Sequence, residues 1–241
     1  MKTVIAIDSF KGSMTSMEAG NAAAAGVKAV FPDAEIVVRP LADGGEGTVE
    51  ALTTGMGGRM ETALVSDPLG RKISASYGIL EENKTAVIEM AAAAGLPLLS
   101  KEERNPLHTT TYGVGELIRD AIRKGCRHFI VGIGGSATND GGVGMLSALG
   151  FEFLDKSGQP VRNGAAGLAD LVEIRSGHVL PVLKECTFRV ACDVENSLCG
   201  ELGCSSVFGP QKGADEKSIR QMDQWLFSYA QLTKEHFLQA D

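Results

Sequence analysis

The sequence predicts an α/β protein: a Rossmann-like, mostly parallel sheet domain interrupted by a smaller α/β subdomain. Three observations predict it. Apolar, β-branched runs alternate with helical patterns over residues 4–54 and again beyond Pro106, an order that favours a parallel sheet. Between them, residues 61–105 change to short strand patterns joined by tight turns, which implies antiparallel pairing. Finally, D-G-G-x-G occurs twice, at Asp43–Gly47 and at Asp140–Gly144, each time where a strand gives way to a helix. Open α/β sheets build their ligand sites at that edge.

The elements follow in order. Val4 to Ile7 read as a buried strand. After the loop DSFKGSM, Thr15 and Glu18 have capping-box spacing and open an alanine-rich helix that Pro32 ends. Ile36 to Arg39 form a second strand, and a short helix covers Thr48 to Thr54. Glu61 to Ser66, Lys72 to Ile79 and Thr85 to Glu89 are strands linked by DPLGR and EENK. Tyr112 to Lys124 is a helix with Val114, Leu117, Ile118, Ala121 and Ile122 on one side and Gly125 at its C′ position. Phe129 to Ile133 is a strand, followed by a glycine-rich loop and a helix to Leu149. Phe151 to Leu154 and Phe188 to Cys192 are further strands. From Asp215 an amphipathic helix carries Met222, Trp225, Leu226 and Tyr229 on its apolar side. Residues 1–60 and 106–241 thus form the Rossmann-like domain. Residues 61–105 are the inserted subdomain, part of a second domain.

Bulk composition narrows the function classes. With 44% apolar and 22% charged residues the chain is an ordinary globular protein. A net charge of −7 argues against a nucleic-acid surface, which needs bulk phosphate neutralisation. Five cysteines without a CxxC give neither a disulfide framework nor a zinc knuckle, so reduced thiols and a cytoplasmic location are expected. No apolar run is long enough for a membrane span. Association into an oligomer is left open.

Four acidic residues, Asp8, Asp43, Asp140 and Asp193, stand at strand ends. In a parallel sheet those ends share one edge, so the carboxylates converge to hold Mg²⁺ on a nucleotide or to accept a proton from a hydroxyl. The other reading of each is a helix cap or turn residue. Glu46 adds a second carboxylate beside Asp43. Lys11, followed by Gly12, Ser13 and a helix start, suits a phosphate. In GIGGSATNDGG, residues Gly134, Gly135, Gly141 and Gly142 allow close backbone approach to a ligand, and Ser136, Thr138 and Asn139 add polar contacts. Lys212 in FGPQKGA faces either a substrate anion or solvent. Arg71 and Arg104 are candidates for a substrate carboxylate or are solvated surface charge. The four histidines lack ligand spacing and receive no role.

A competing motif overlaps the glycine loop. Gly132, Gly134 and Ala137 fit G-x-G-x-x-A, with Asp155 ending the next strand, which imitates a nicotinamide-dinucleotide fingerprint and a hydride-transferring oxidoreductase. Neither a Walker motif nor the protein-kinase motifs occur.

DSFKGSMTSMEA, PLADGGEGT, SDPLGR, VIEMAAAAGL, RNPLHTTTYGVGELI, GIGGSATNDGG, ACDVEN and FGPQKGA occur in this order from Asp8 to Ala214. Together they resemble the bacterial glycerate kinase family, glycerate 2-kinase type. The resemblance implies a two-domain fold with the site in the cleft. It also implies transfer of the γ-phosphate of ATP, with Mg²⁺, to a hydroxyl of D-glycerate, 2-phosphoglycerate being the favoured product. On that reading the amides around Gly134 to Gly142 cradle phosphates. Asp8, Asp43 and Asp193 hold Mg²⁺ or act as the base, with Asp193 the slight favourite, while Lys11 and Lys212 offset phosphate or carboxylate charge. Two departures stand out: Ser197 replaces the usual proline of DVxNPL, and family members continue well beyond the last helix. The latter leaves a non-catalytic, nucleotide- or anion-binding remnant as a further alternative.

Overall fold

The computed structural model describes residues 1–8, 10, 13–41 and 47–237, with the backbone alone for residues 48 and 54. Strand β1 (Lys2–Ile7), helix α1 (Ser16–Val30) and strand β2 (Glu35–Pro40) form a right-sized β-α-β start, with β1 and β2 parallel in a sheet of their own. The capping box is present: Thr15 accepts from the Glu18 amide, and the Glu18 carboxylate accepts from the Thr15 amide at 2.8 Å.

Helix α2 (Thr48–Gly55) leads to β3 (Arg59–Ser66), β4 (Lys72–Leu80) and β5 (Thr85–Glu89). A one-turn helix α3 (Ala91–Ala94), helix α4 (Tyr112–Arg123) and strand β6 (His128–Gly132) follow. Next come α5 (Val143–Ala148), β7 (Glu152–Leu154), β8 (Glu173–Arg175), β9 (Thr187–Ala191), α6 (Cys204–Phe208) and α7 (Glu216–His236). The main sheet has the order β3-β4-β5-β6-β9. Its first two pairings are antiparallel and its last two parallel.

Period-2 alternation decides how this sheet is covered. Tyr77, Ile79, Ala86, Ile88 and Phe129 face the α4 side and pack with Val114, Leu117, Ile118 and Ala121. Leu80, Val87 and Ile130 face the other way, onto Val49 and Leu52 of α2. A second cluster joins α5, β7, β8 and α7 through Val143, Phe153, Ile174 and Leu226.

The expected elements are present with small shifts: the strands expected at 129–133 and 188–192 each begin and end one residue earlier, and β1, expected to be buried, has no buried residue and leaves Val4 exposed because it pairs only with β2 in a two-stranded sheet. At the boundary drawn at residue 105 the hydrogen bonding does not stop. Thr85–Glu89 pair directly with His128–Gly132, so 61–105 and β6 share one sheet. The physical reason is burial: Ala86, Val87 and Ile88 are fully enclosed between the α4 and α2 layers, so the backbone groups along both edges of β5 need strand partners. At the far edge, β9 is exposed along most of its length, including Phe188 and Val190.

Candidate active site

Register places the carboxyl ends of three strands in one row, because Glu89 pairs with Gly132 and Gly132 with Ala191. Asp193 lies two residues past the last of these and is exposed. In the small sheet Ile7 pairs with Pro40, and the Leu41 amide donates to the Ile7 carbonyl at 2.9 Å, so Asp8 stands at the equivalent end of β1. Lys11, Asp43 and Glu46 lie outside the described residues. Glu89 was not singled out from the sequence, although the strand-end rule that found the aspartates also reaches it. Its carboxylate accepts from the Val49 amide at 2.9 Å, which ties the N-terminus of α2 to the carboxyl edge of the main sheet.

The glycine loop after β6 is held by its carbonyls and side chains. Gly135 O accepts from the Leu96 amide at 2.9 Å, and Ala137 O accepts from the Thr109 hydroxyl at 2.7 Å. Thr138 O accepts from Lys212 Nζ at 2.6 Å, and the same ammonium reaches Ser136 Oγ at 3.1 Å. The Asn139 side-chain Nδ2 donates to Ser205 Oγ at 2.8 Å. Positive φ at Gly135 (70°), Gly141 (61°) and Gly142 (79°) lets the chain turn in this way. Among the described residues the backbone amides of Gly134, Gly135, Ser136 and Thr138 donate to no protein acceptor. The tethers use carbonyls and side chains, except that the Ala137 amide donates to Ala94 O at 2.8 Å, and the remaining N–H donors on either side of it are of the kind that anion sites use.

Asp140 takes the capping role that the sequence left open. It is buried, and its carboxylate accepts from the amides of Thr111 (2.9 Å), Gly142 (3.0 Å) and Gly144 (3.2 Å) and from the Thr111 hydroxyl (2.9 Å). Thr111 Oγ1 in turn accepts from the Met145 amide at 2.9 Å. One carboxylate thus serves the starts of both α4 and α5 and has nothing left for a ligand.

Lys212 closes a short turn, Pro210–Lys212, and retains only 7% of its surface. Burial pushes its pKa below the ordinary lysine value, against the pull of Cys204 and Asp140. Arg71 lies in the β3–β4 turn, whose Pro68 carbonyl accepts from the Thr110 amide at 2.9 Å. Its guanidinium meets Asp67 at 2.5 Å, Glu103 at 2.7 Å and the Leu98 carbonyl at 3.3 Å. Those two carboxylates, Asp67 first, raise its pKa. Arg104 does approach the Lys212 turn: a Cβ on Gly213 would meet its backbone carbonyl, and its Nε is buried without a hydrogen-bond partner among the described residues.

The dinucleotide fingerprint fails on geometry. It requires a helix opening within the motif and a following parallel strand. Here α5 begins only at Val143, and β7 pairs antiparallel with β8, outside the main sheet. Among the described residues no cluster of three His, Cys, Asp or Glu side chains forms a ready metal cage. No described helix is long and apolar enough to cross a membrane.

These features define an α/β protein whose glycine loop presents amides at the carboxyl edge of its sheet. Residues 3–241 match the glycerate kinase family, and the chain belongs to that family. It is 51% identical to a glycerate kinase of Haemophilus influenzae, covering 97% of this chain and 62% of that protein. It is 50% identical to a glycerate 2-kinase of Escherichia coli (strain K12), covering 97% and 61%. A crystal structure described as a candidate glycerate kinase 2 from Salmonella typhimurium LT2 superposes with a TM-score of 0.94 at 45% identity, covering all of this chain and 64% of that one. The chain therefore spans about three fifths of the length of the curated relatives it matches.

Proposed function

We propose that this chain carries out, or forms the larger part of a protein that carries out, ATP-dependent phosphorylation of D-glycerate, with 2-phosphoglycerate as the product. The observation that carries the reading is the row of unengaged amides at Gly134, Gly135, Ser136 and Thr138, set at the carboxyl edge of a sheet in a member of this family. Phosphoryl transfer asks a protein mainly for positioning and charge neutralisation, and such donors supply both for a polyphosphate. The glycerate hydroxyl oxygen attacks the γ-phosphorus and ADP leaves, while the hydroxyl proton passes to a carboxylate. Asp193, exposed beyond β9, is the base in this reading. Asp8, with Asp43, would hold Mg²⁺, an ion that takes one or two carboxylates plus phosphate oxygens and supplies charge neutralisation. Lys11 would reach a phosphate as a point charge. The two-domain cleft belongs to the same proposal.

An ADP-release assay with Mg-ATP and D-glycerate, with identification of the phosphorylated carbon, tests the reading. Stabilisation of the protein by NAD alone would sink it, and binding without turnover would mark a non-catalytic binder. Asp193→Asn should lower turnover about 10²-fold or more without moving the melting temperature, because the side chain is exposed. Near-normal turnover would remove Asp193 as the base.

A further inference from the structure

We infer that Lys212 is a positioning residue for the glycine loop rather than a contact for a substrate anion; the inference rests on the kinase reading above. Its Nζ donates to Ser136 Oγ at 3.1 Å and to Thr138 O at 2.6 Å, both within the loop. An ammonium offers three donors, so two are committed to the protein. At 7% exposure the side chain is also turned away from the solvent from which a substrate arrives.

The turn that carries Lys212 is itself anchored. Its amide donates to Gly209 O at 3.0 Å, and the Ala214 amide donates to the same carbonyl at 3.0 Å. Gly213, at φ 92°, lies against the Arg104 carbonyl. A parallel tether runs from Asn139 to Ser205, which is completely buried. The segment from Ser205 to Gly213 therefore clamps the loop from outside. By holding the Ser136 hydroxyl and the carbonyl of the Thr138–Asn139 peptide, Lys212 fixes the course of the loop that carries the unengaged amides. Burying an ammonium beside a neutral carbonyl is unfavourable unless it is hydrogen-bonded, so the lysine holds that geometry tightly. It also brings positive charge beneath the loop without touching the ligand.

The test uses the full chain and calorimetric titration with Mg-ADP and with D-glycerate separately. Lys212→Met keeps the apolar stem and removes the donors. It should weaken Mg-ADP about tenfold, a modest loss on the scale of a few hydrogen-bond energies, as the loop is released from its two ammonium bonds, with D-glycerate affinity changed less than about twofold. Ser136→Ala should weaken Mg-ADP by a smaller factor, and the double variant should be no weaker than Lys212→Met alone, since both act through one contact. Selective loss of D-glycerate affinity would overturn the inference in favour of a substrate contact. Equal loss of both ligands, or a lowered melting temperature with both affinities intact, would reduce Lys212 to a structural role and overturn it as well. If Lys212→Met does not fold, Ser136→Ala decides: unchanged Mg-ADP affinity overturns the inference. If the wild-type chain binds neither ligand, the kinase reading itself fails and this inference fails with it.

Discussion

Asp140 shows why identical motifs need not do identical work. Both D-G-G-x-G copies offer a carboxylate beside glycines, and locally only Glu46 in place of Val143 distinguishes them. The deciding partner of Asp140 is Thr111, 29 residues away in sequence, and no pattern around Asp140 reveals it. A buried carboxylate with this many donors is costly to alter, because each donor is left facing an amide or nothing. Asp140→Asn should therefore destabilise the fold by about 2–4 kcal/mol, read as a lower urea midpoint with an unchanged slope. A loss under about 1 kcal/mol would show that water replaces the carboxylate easily. Lys212 is the opposite case: the sequence marked the residue, but the direction in which it points is a tertiary property. A lysine in a Gly-Pro-rich turn reads equally well as a surface charge, and only burial against Ser136 and Thr138 separates the readings.

At the scale of elements, helix α4 was legible because its apolar residues recur at the helical period, and all four of Val114, Leu117, Ile118 and Ala121 are buried. The β strands were legible as runs but not as neighbours. Pairing of β5 with β6 is set by apolar faces on both sides of the strand, whereas the sequence shows only tight turns before it. The close approach of α5 to the start of α4 was also invisible, because it depends on missing side chains, at Gly115, where a Cβ would meet the Met145 carbonyl, and at Gly144. A Cβ on Gly144 would meet Thr110 Oγ1, the Tyr112 amide at 2.7 Å and Asp140 Oδ2 at 2.9 Å. All three of these atoms are hydrogen-bonded, so the neighbours cannot yield cheaply. Gly144→Ala should lower stability by about 2–4 kcal/mol and loosen the glycine loop. Amide exchange across 132–142 would report that loosening, and unaltered exchange would show that α5 can slide aside.

The molecule as a whole is tied together by ion pairs that cross from the antiparallel strands to α4. Lys124 meets Glu61 of β3 at 2.8 Å and Asp120 at 2.9 Å, and the Tyr77 hydroxyl of β4 donates to Asp120 at 2.7 Å. Lys124, and after it Arg59, hold the Glu61 carboxyl below its ordinary value of 4.5. A carboxyl lowered on folding stabilises the native state above its ordinary pKa, and that contribution fades as pH falls through the folded value. The melting temperature should accordingly drop between about pH 5 and pH 3, and Glu61→Gln should flatten part of that drop. An identical acid profile for the two proteins would assign the drop to other carboxyls. Such a network is hard to foresee, since Glu61 and Lys124 stand 63 residues apart. The α/β class, by contrast, follows from local order alone. The buried knot between Thr111 and Asp140 also bears on how the chain finds this arrangement. It closes a loop of 29 residues, against 59 for the contact of His128 with Thr187 that adds β9. Each doubling of a loop costs about 0.6 kcal/mol in chain entropy, so the knot is the cheaper closure. We expect the knot to close before β9 joins; in stopped-flow experiments Asp140→Asn would then slow refolding more than it hastens unfolding, and the reverse would place the knot late.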